Sequence, residues 1–180
     1  MTNINTTAIE LLEKVYGFRL PQIMQADFSG LLDKQSKTLG RALESEELNE
    51  FFCQEFIANL SPYELTAINF EKEFVNTEKE RLHCRATIKH HGNFQEISGT
   101  GNGTLNALAN AFKQCCGIEI EVVDYLQHGL TKGTHALAAS YIEIADKQGT
   151  HIWGVGIDSD CTLSAIRALL SAVNRELRDI

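Results

Sequence analysis

The chain has 180 residues, of which 43% are hydrophobic, and its 24 acidic and 16 basic side chains give a formal net charge of -8. This acidic balance, without a long basic run, argues against nucleic acid or an anionic membrane as a partner. No apolar run has bilayer length and no signal pattern is present, which predicts a soluble, cytoplasmic protein. The five cysteines form no C-x-x-C pair and have mostly apolar neighbours, so we expect reduced, buried thiols.

Residues 1–64 are predicted to form a short helical subdomain. A capping pattern at Ser45 starts the third helix, and Ser61-Pro62 ends it. So short a helical segment buries little surface alone, and its phenylalanines lead us to expect that it packs on another domain or another chain. Apolar residues recur at helical spacing in three segments, 8–15, 23–32 and 48–60.

Residues 65–180 are predicted to form two repeated βββα units. Apolar and charged residues alternate over 81–89, as in a half-exposed strand. The fold class is therefore α+β, with approximate twofold symmetry and a preceding helical subdomain. The strands are expected near 69–75, 81–89, a third ending at the glycine turn, 118–122, 136–145 and 151–157, with helices near 104–112 and 163–173.

A glycine-rich turn, Ser98-Gly-Thr-Gly-Asn-Gly103, leads into the first of these two helices. Its continuation Thr104-Leu-Asn-Ala107 has a counterpart in Thr162-Leu-Ser-Ala165, which indicates an internal duplication. Free amides at the helix start, beside glycines that permit close approach, could hold a carboxylate or a phosphate. A tight connection without a ligand remains the alternative.

Few residues stand out as candidates for chemistry. The polar stretch 124–133 is predicted to be a long loop, in which His128 and Asp124 could hold a metal, although ordinary hydrogen bonding is favoured. Cys161 lies at a helix start beside Asp158 and Asp160, whose charges oppose a thiolate, so we expect a buried structural thiol. No catalytic residue and no metal ligand is assigned.

Several motifs together resemble the C-terminal regulatory domain of 2-isopropylmalate synthase. The segment Tyr16-Gly-Phe-Arg-Leu-Pro21 is similar to the helical linker that precedes this domain, so the resemblance covers most of the chain. Citramalate and homocitrate synthases are related enzymes, some with a similar tail. The motifs are Ile97-Ser-Gly-Thr-Gly-Asn-Gly103, Val123-Asp-Tyr125 with His128, Ala138-Ala-Ser-Tyr141-Ile-Glu143 after Ala136, Trp153-Gly-Val-Gly-Ile157 and Ser171-Ala-Val-Asn174.

The resemblance implies a domain that binds leucine, or a related branched-chain effector, and that inhibits a catalytic (β/α)8 barrel. That barrel would bind a divalent metal, 2-oxoisovalerate and acetyl-CoA, and its motifs are not in this chain. We therefore expect no cofactor and no condensation activity in the chain alone, but a homodimer that partners the barrel. The resemblance places leucine between the two units, at Gly101, Leu105, Asn106, Val122, Tyr125, Gly129, Ala136 and Ile157. From the residues themselves, Asp124 or Asp158 could meet the ammonium.

Two positions depart from the family pattern. Thr104 stands where many members have proline, and Tyr16 stands where some have a histidine that approaches the active site. Three alternatives stay open at this point. The chain could be a dimerisation module without a ligand, the regulatory tail of a citramalate or homocitrate synthase, or a small enzyme that uses His128 and Asp124.

Overall fold

The computed structural model describes residues 4–74, 80–131, 133 and 136–178. Within them the chain forms five helices and two antiparallel three-stranded sheets, which confirms the predicted α+β class with two βββα units after a helical part. None of the helices in the described ranges has the length and apolar composition needed to cross a bilayer. The elements are α1 (Ile4–Tyr16), α2 (Gln22–Leu39), α3 (Ser45–Phe56), β1 (Tyr63–Phe74), β2 (Glu80–His90), β3 (Asn93–Gly101), α4 (Thr104–Cys116), β4 (Ile120–Gly129), β5 (Ala138–Asp146), β6 (His151–Asp158) and α5 (Cys161–Arg178).

The two units share one hydrophobic core. Each sheet follows chain order, β1-β2-β3 and β4-β5-β6, and each is covered by the helix of its own unit. Buried side chains of both sheets and of both helices form a single cluster, which includes Ile88, Phe112, Ile142 and Leu169. Because α4 also contacts β4 and α5 also contacts β1, the units close on each other rather than standing apart.

Helices α1 to α3, which we call the arm, cover the opposite face of the second sheet. Phe28, Phe52 and Phe56 pack with Tyr141 and Trp153 in a second core cluster. Strand β5 is consequently buried on both faces, which explains its nearly continuous run of apolar and small residues. The predicted packing partner of the arm is therefore the second unit of the same chain.

Polar side chains near the end of α5 hold the connection between the arm and β1. The Ser171 hydroxyl donates to the carbonyl of Phe56 at 2.6 Å. The Asn174 amide donates to the carbonyls of Asn59 and Tyr63 at 2.7 and 2.8 Å and accepts from the Tyr63 amide at 3.0 Å. These buried hydrogen bonds satisfy backbone groups where the chain passes from helix to strand.

The internal repeat is one residue out of the register that the sequence suggested. A Cβ added at Gly99 would collide with the backbone of Ala107, and one added at Gly156 would collide with the backbone of Ser164. Since α4 and α5 pack on these glycines in the same way, Ala107 is equivalent to Ser164 and not to Ala165. The matching Thr-Leu pairs indicated a register that is wrong by one residue. The contact of each helix with a glycine backbone identifies the correct register.

Two β-bulges confirm that register. Thr66 of β1 has no paired residue in the register with β2, and Val123 of β4 has none in the register with β5. Thr66 and Val123 are separated by the same number of residues as Gly99 and Gly156. The duplication therefore extends over the whole βββα unit, including an irregularity in its first strand.

Two predictions were wrong in detail. Residues 124–129 belong to strand β4 rather than to a loop, because they pair with β5 as far as Gly129, and polar side chains are tolerated on this half-exposed strand. Not all thiols are buried: Cys115 and Cys161 are exposed, because they lie at the end of α4 and at the start of α5 rather than in the packed middle of a helix. Burial does raise the pKa of Cys84 to about 11. Val75, the predicted end of the first strand, lies outside the described residues.

Candidate ligand-binding site

A cleft of about 610 Å³ lies between the two units, and we call it the first cleft. Helix α4 of the first unit forms one wall, and strand β4 with the start of α5 forms the other. Its volume is in the usual range for small-molecule sites. The lining residues are Asn102, Gly103, Thr104, Leu105, Asn106, Ala109, Asn110, Ile120, Glu121, Val122, Tyr125, Cys161, Thr162 and Ala165.

The two helix starts at this cleft differ in their capping. Helix α5 is capped by Asp160, whose carboxylate accepts from the amides of Thr162 and Leu163 at 2.7 and 2.9 Å. Helix α4 begins after Gly103, which supplies no side-chain cap. The first amides of α4 thus keep their hydrogen-bonding capacity for a ligand. An anionic group is favoured there by the helix dipole as well.

The remaining surface of the first cleft is partly apolar and carries one carboxylate. Val122 and Ala165 provide apolar contact from the second unit, and Ala109 provides it from α4. Glu121 is exposed on β4 beside these residues. The arrangement can hold a small molecule that combines an anionic group, a cationic group and an apolar side chain.

A buried polar network fixes the second wall of the first cleft. The hydroxyls of Ser140 and Ser164 lie 2.6 Å apart. The Gln127 side-chain nitrogen lies 2.8 and 2.9 Å from these hydroxyls and 2.8 Å from the Cys161 carbonyl, so its two protons are shared among the three oxygens. Strand β4 is thereby tied to the first turn of α5, so the two elements of this wall move together.

The far end of β4 is tied to the arm. The Tyr141 hydroxyl lies 3.0 Å from Nε2 of His128 and accepts from the Arg19 amide at 3.0 Å. Burial of Tyr141 raises the pKa of its phenol well above the ordinary value. His128 has its second ring nitrogen 3.1 Å from the Gly129 carbonyl, so both nitrogens are engaged in structural contacts. Among the described residues, no three His, Cys, Asp or Glu side chains are grouped as metal ligands.

Four of the eight predicted ligand residues line the first cleft: Leu105, Asn106, Val122 and Tyr125. Gly101 lies directly behind the start of α4, where a Cβ would collide with the backbone of that helix. The other three lie elsewhere, since Gly129 ends β4, Ala136 lies in the β4–β5 connection and Ile157 lines a different cavity. Ligand contact at all eight positions stays a prediction.

Neither aspartate proposed for the ammonium lines the first cleft. Asp158 is paired with Arg167 at 2.9 Å, and the Asp124 carboxylate accepts from the next backbone amide at 2.8 Å. Glu121, which the sequence reasoning missed, is the carboxylate that does line it. No sequence signal pointed to it, because strand alternation places Glu121 on the opposite face from Ile120 and Val122. Ala109, also missed, could have been found one helical turn after Leu105.

These features define a duplicated α+β domain with a ligand-sized cleft between its units. The chain belongs to the family described as the LeuA allosteric (dimerisation) domain, which matches residues 42–177.

Among curated proteins, 2-isopropylmalate synthase of Corynebacterium glutamicum (strain R) is 34% identical over 167 residues, and that alignment covers 93% of this chain and 26% of the relative. The enzyme of the same name from Mycobacterium leprae is 34% identical over 170 residues, covering 93% and 27%. That of Pseudarthrobacter chlorophenolicus is 33% identical over 175 residues, covering 94% and 29%. The chain thus spans somewhat more than a quarter of the length of these relatives.

Proposed function

We propose that this chain is the leucine-sensing regulatory domain of a 2-isopropylmalate synthase. In this proposal the domain forms a homodimer and controls a catalytic barrel that condenses 2-oxoisovalerate with acetyl-CoA. The divalent metal and both substrates are assigned to that barrel. Membership of the allosteric domain family and the names of the relatives support the proposal.

The uncapped start of α4 is the observation that carries the assignment of an amino-acid effector. The leucine carboxylate would accept hydrogen bonds from the first amides of this helix, beside Gly103. The ammonium would lie near Glu121, and the isobutyl group would contact Val122, Ala109 and Ala165. Each part of the zwitterion thus finds a matching surface within one cleft.

Helix α5 provides a route from the first cleft to the arm. Its 18 residues span about 27 Å. Cys161, Thr162 and Ala165 at its start line the cleft, while Ser171 and Asn174 near its end bond the connection between α3 and β1. A ligand that changes the separation of the cleft walls would move α5 and, with it, the arm that leads towards the barrel.

Titration calorimetry and thermal unfolding with L-leucine test the proposal. At free leucine 100 times above Kd, we expect a stabilisation of about 2.7 kcal/mol, or a rise in Tm of about 5 to 10 °C. Saturable heat should accompany this rise. A stable dimer that gives neither heat nor a rise in Tm would instead support a dimerisation module without a ligand.

Two alanine substitutions decide whether the first cleft is the leucine site. Ala109→Phe places a ring inside this cleft, so it should abolish the leucine-induced rise in Tm. Ala136→Phe tests the competing prediction that Ala136 contacts leucine, and with the site in the first cleft it should leave the rise intact. Glu121→Gln adds a milder change that keeps the packing and should weaken leucine binding. Loss of binding in Ala136→Phe alone would place the site in the β4–β5 connection.

Sedimentation tests the proposed homodimer. At micromolar concentration we expect a mass of about twice 20.0 kDa. A chain that remains monomeric with saturating leucine would contradict this part of the proposal.

A further inference from the structure

A second cleft, of about 440 Å³, lies at the position that the internal repeat makes equivalent to the first. Its main walls are α5 and β1, which correspond to α4 and β4. The bulge of each first strand marks the same place in both units, at Thr66 and at Val123. Thr66 itself lines the second cleft. The repeat has therefore produced two equivalent clefts. The similarity to the relatives does not distinguish between them.

The second cleft is more apolar than the first at equivalent positions. With the register set by the packed glycines, Leu163 stands where the first cleft has Asn106, and Ile166 stands where it has Ala109. Ile68 likewise replaces Tyr125. These aliphatic side chains lie around the cleft floor, so it offers a ligand more hydrocarbon contact and fewer polar groups than the first cleft.

Two opposite charges stand on facing walls of the second cleft. Glu64 on β1 is equivalent to Glu121 of the first cleft, and Arg167 on α5 is equivalent to Asn110. Both side chains are themselves largely exposed: Arg167 is 62% exposed and pairs at 2.9 Å with Asp158, which is 14% exposed, and Glu64 is 51% exposed and pairs with Lys89 at 3.7 Å. The exposed Glu64–Lys89 pair contributes little to stability, so Glu64 can turn to a ligand at small cost, and the exposed Arg167 guanidinium keeps donors beyond the one that meets Asp158.

The capping of the two helices explains why an arginine is needed in one cleft only. In the first cleft the uncapped start of α4 can receive an anionic group. At the helix start that the repeat makes equivalent, Asp160 already accepts from the first amides of α5, at 2.7 and 2.9 Å, so that helix end does not receive an anion. Arg167, about one helical turn further along, supplies the positive charge instead.

We propose that the second cleft is an additional binding site for a free amino acid with a branched apolar side chain. The α-carboxylate pairs with Arg167, the α-ammonium pairs with Glu64, and the side chain packs on Leu163, Ile166 and Ile68. Ile57 and Leu60 of the connection that follows α3 form the adjoining rim, so the bound amino acid also contacts the arm. This site stands on its own residues and does not rest on leucine binding in the first cleft.

Isoleucine methyl NMR of the full chain, titrated with L-leucine, separates the two clefts. Ile68, Ile157 and Ile166 line the second cleft, whereas Ile120 lines the first. We expect both groups of methyl signals to shift, along two isotherms with different midpoints. Isocaproate, which lacks the ammonium, and isoamylamine, which lacks the carboxylate, should each bind the second cleft at least about tenfold more weakly than L-leucine.

Charge-removing variants provide the matched comparison. Arg167→Met and Glu64→Gln should each weaken the second isotherm about tenfold and leave the Ile120 isotherm unchanged. Glu121→Gln, at the equivalent position, should act on the Ile120 isotherm only. Lys34→Met, which removes an exposed charge of α2, should change neither. All four changes are at surface positions, so folding is expected to persist.

Three results would overturn the second site. In the first, the methyl signals of Ile68, Ile157 and Ile166 do not move at millimolar L-leucine. In the second, these signals follow the Ile120 isotherm in every variant. In the third, the two analogues that lack one charge bind the second cleft as tightly as L-leucine. A shift at Ile120 without a separate second isotherm would leave the proposed function standing and remove this site. The reverse result would establish this site and contradict leucine binding in the first cleft.

Discussion

Asn174→Leu removes the side chain that joins α5 to the entry of β1. Asn174 is fully buried, and its amide and carbonyl oxygen make three hydrogen bonds with the backbone of Asn59 and Tyr63, at 2.7, 2.8 and 3.0 Å. Leucine has the same number of side-chain heavy atoms in the same branched arrangement, with bulkier methyl groups and no polar atoms. The substitution therefore leaves one buried amide and two carbonyls without this partner, while the cavity stays filled.

The expected loss follows from these three groups. A buried backbone group deprived of its partner costs about 1 to 3 kcal/mol, and burial of the leucine side chain offsets about 2 kcal/mol of the total. We therefore expect Asn174→Leu to lower the free energy of unfolding by about 3 kcal/mol, which corresponds to a fall in Tm of about 6 to 12 °C.

Urea unfolding followed by tryptophan fluorescence measures this loss. Trp153 is the single tryptophan and is 2% exposed, between the second sheet and the arm, so its emission reports the region that Asn174 joins. Asn49→Leu is the control, because its side-chain amide has only a 3.9 Å contact from a thiol, and we expect a change within about 0.5 kcal/mol. A loss below about 1 kcal/mol in Asn174→Leu would refute the reasoning.

Four further predictions follow from local geometry. Gly154→Ala should lower the free energy of unfolding by about 1 to 3 kcal/mol, because a Cβ there meets the backbone of α5. The added Cβ of Gly103→Ala meets nothing within 4 Å, so this control should change the free energy of unfolding far less. Equal effects of the two substitutions in urea unfolding would contradict this. The hydrogen bond from Arg41 lowers the pKa of Glu47 to about 2. The contribution of Glu47 to the stability of α3 should therefore be complete above the unfolded pKa of about 4.3 and disappear as the pH falls to about 2. Unfolding followed by circular dichroism should show this fall in stability with pH, and Glu47→Gln should lack it. Since burial raises the pKa of Cys84 to about 11, a thiol reagent at pH 8 should modify the exposed cysteines first, and preferential labelling of Cys84 would argue against its burial. The chain alone should release no thiol from acetyl-CoA with 2-oxoisovalerate and magnesium, and activity proportional to this protein would overturn that expectation.

Local patterns were sufficient for most secondary structure. The alternation over 81–89 predicted a strand, and the observed strand, Glu80–His90, is longer by one residue at each end. The apolar stripe after Gly103 predicted α4. Such periodicities arise within one element, because each side chain's direction depends on nearby backbone alone. The division into a helical part and two βββα units was predictable for the same reason.

Four of the eight predicted ligand positions line the first cleft, and all four are close to a recognisable turn or strand. Leu105 and Asn106 follow the glycine turn directly, and Val122 and Tyr125 lie on the first strand of the second unit. Ala136 and Ile157 lie elsewhere, because a motif in sequence carries no information on which wall of the fold its residues reach.

The sequence by itself determined the elements, the duplication and the glycines at which helix and sheet approach closely. Only the tertiary structure decided that 124–129 is strand, that Cys161 is exposed and that the repeat has its register at Ala107 and Ser164. Each of these depends on contacts between residues far apart in the chain, such as strand pairing with β5 or packing of a helix on Gly156. Long-range contacts override local preference wherever a segment is only weakly patterned, as in residues 124–129 of β4.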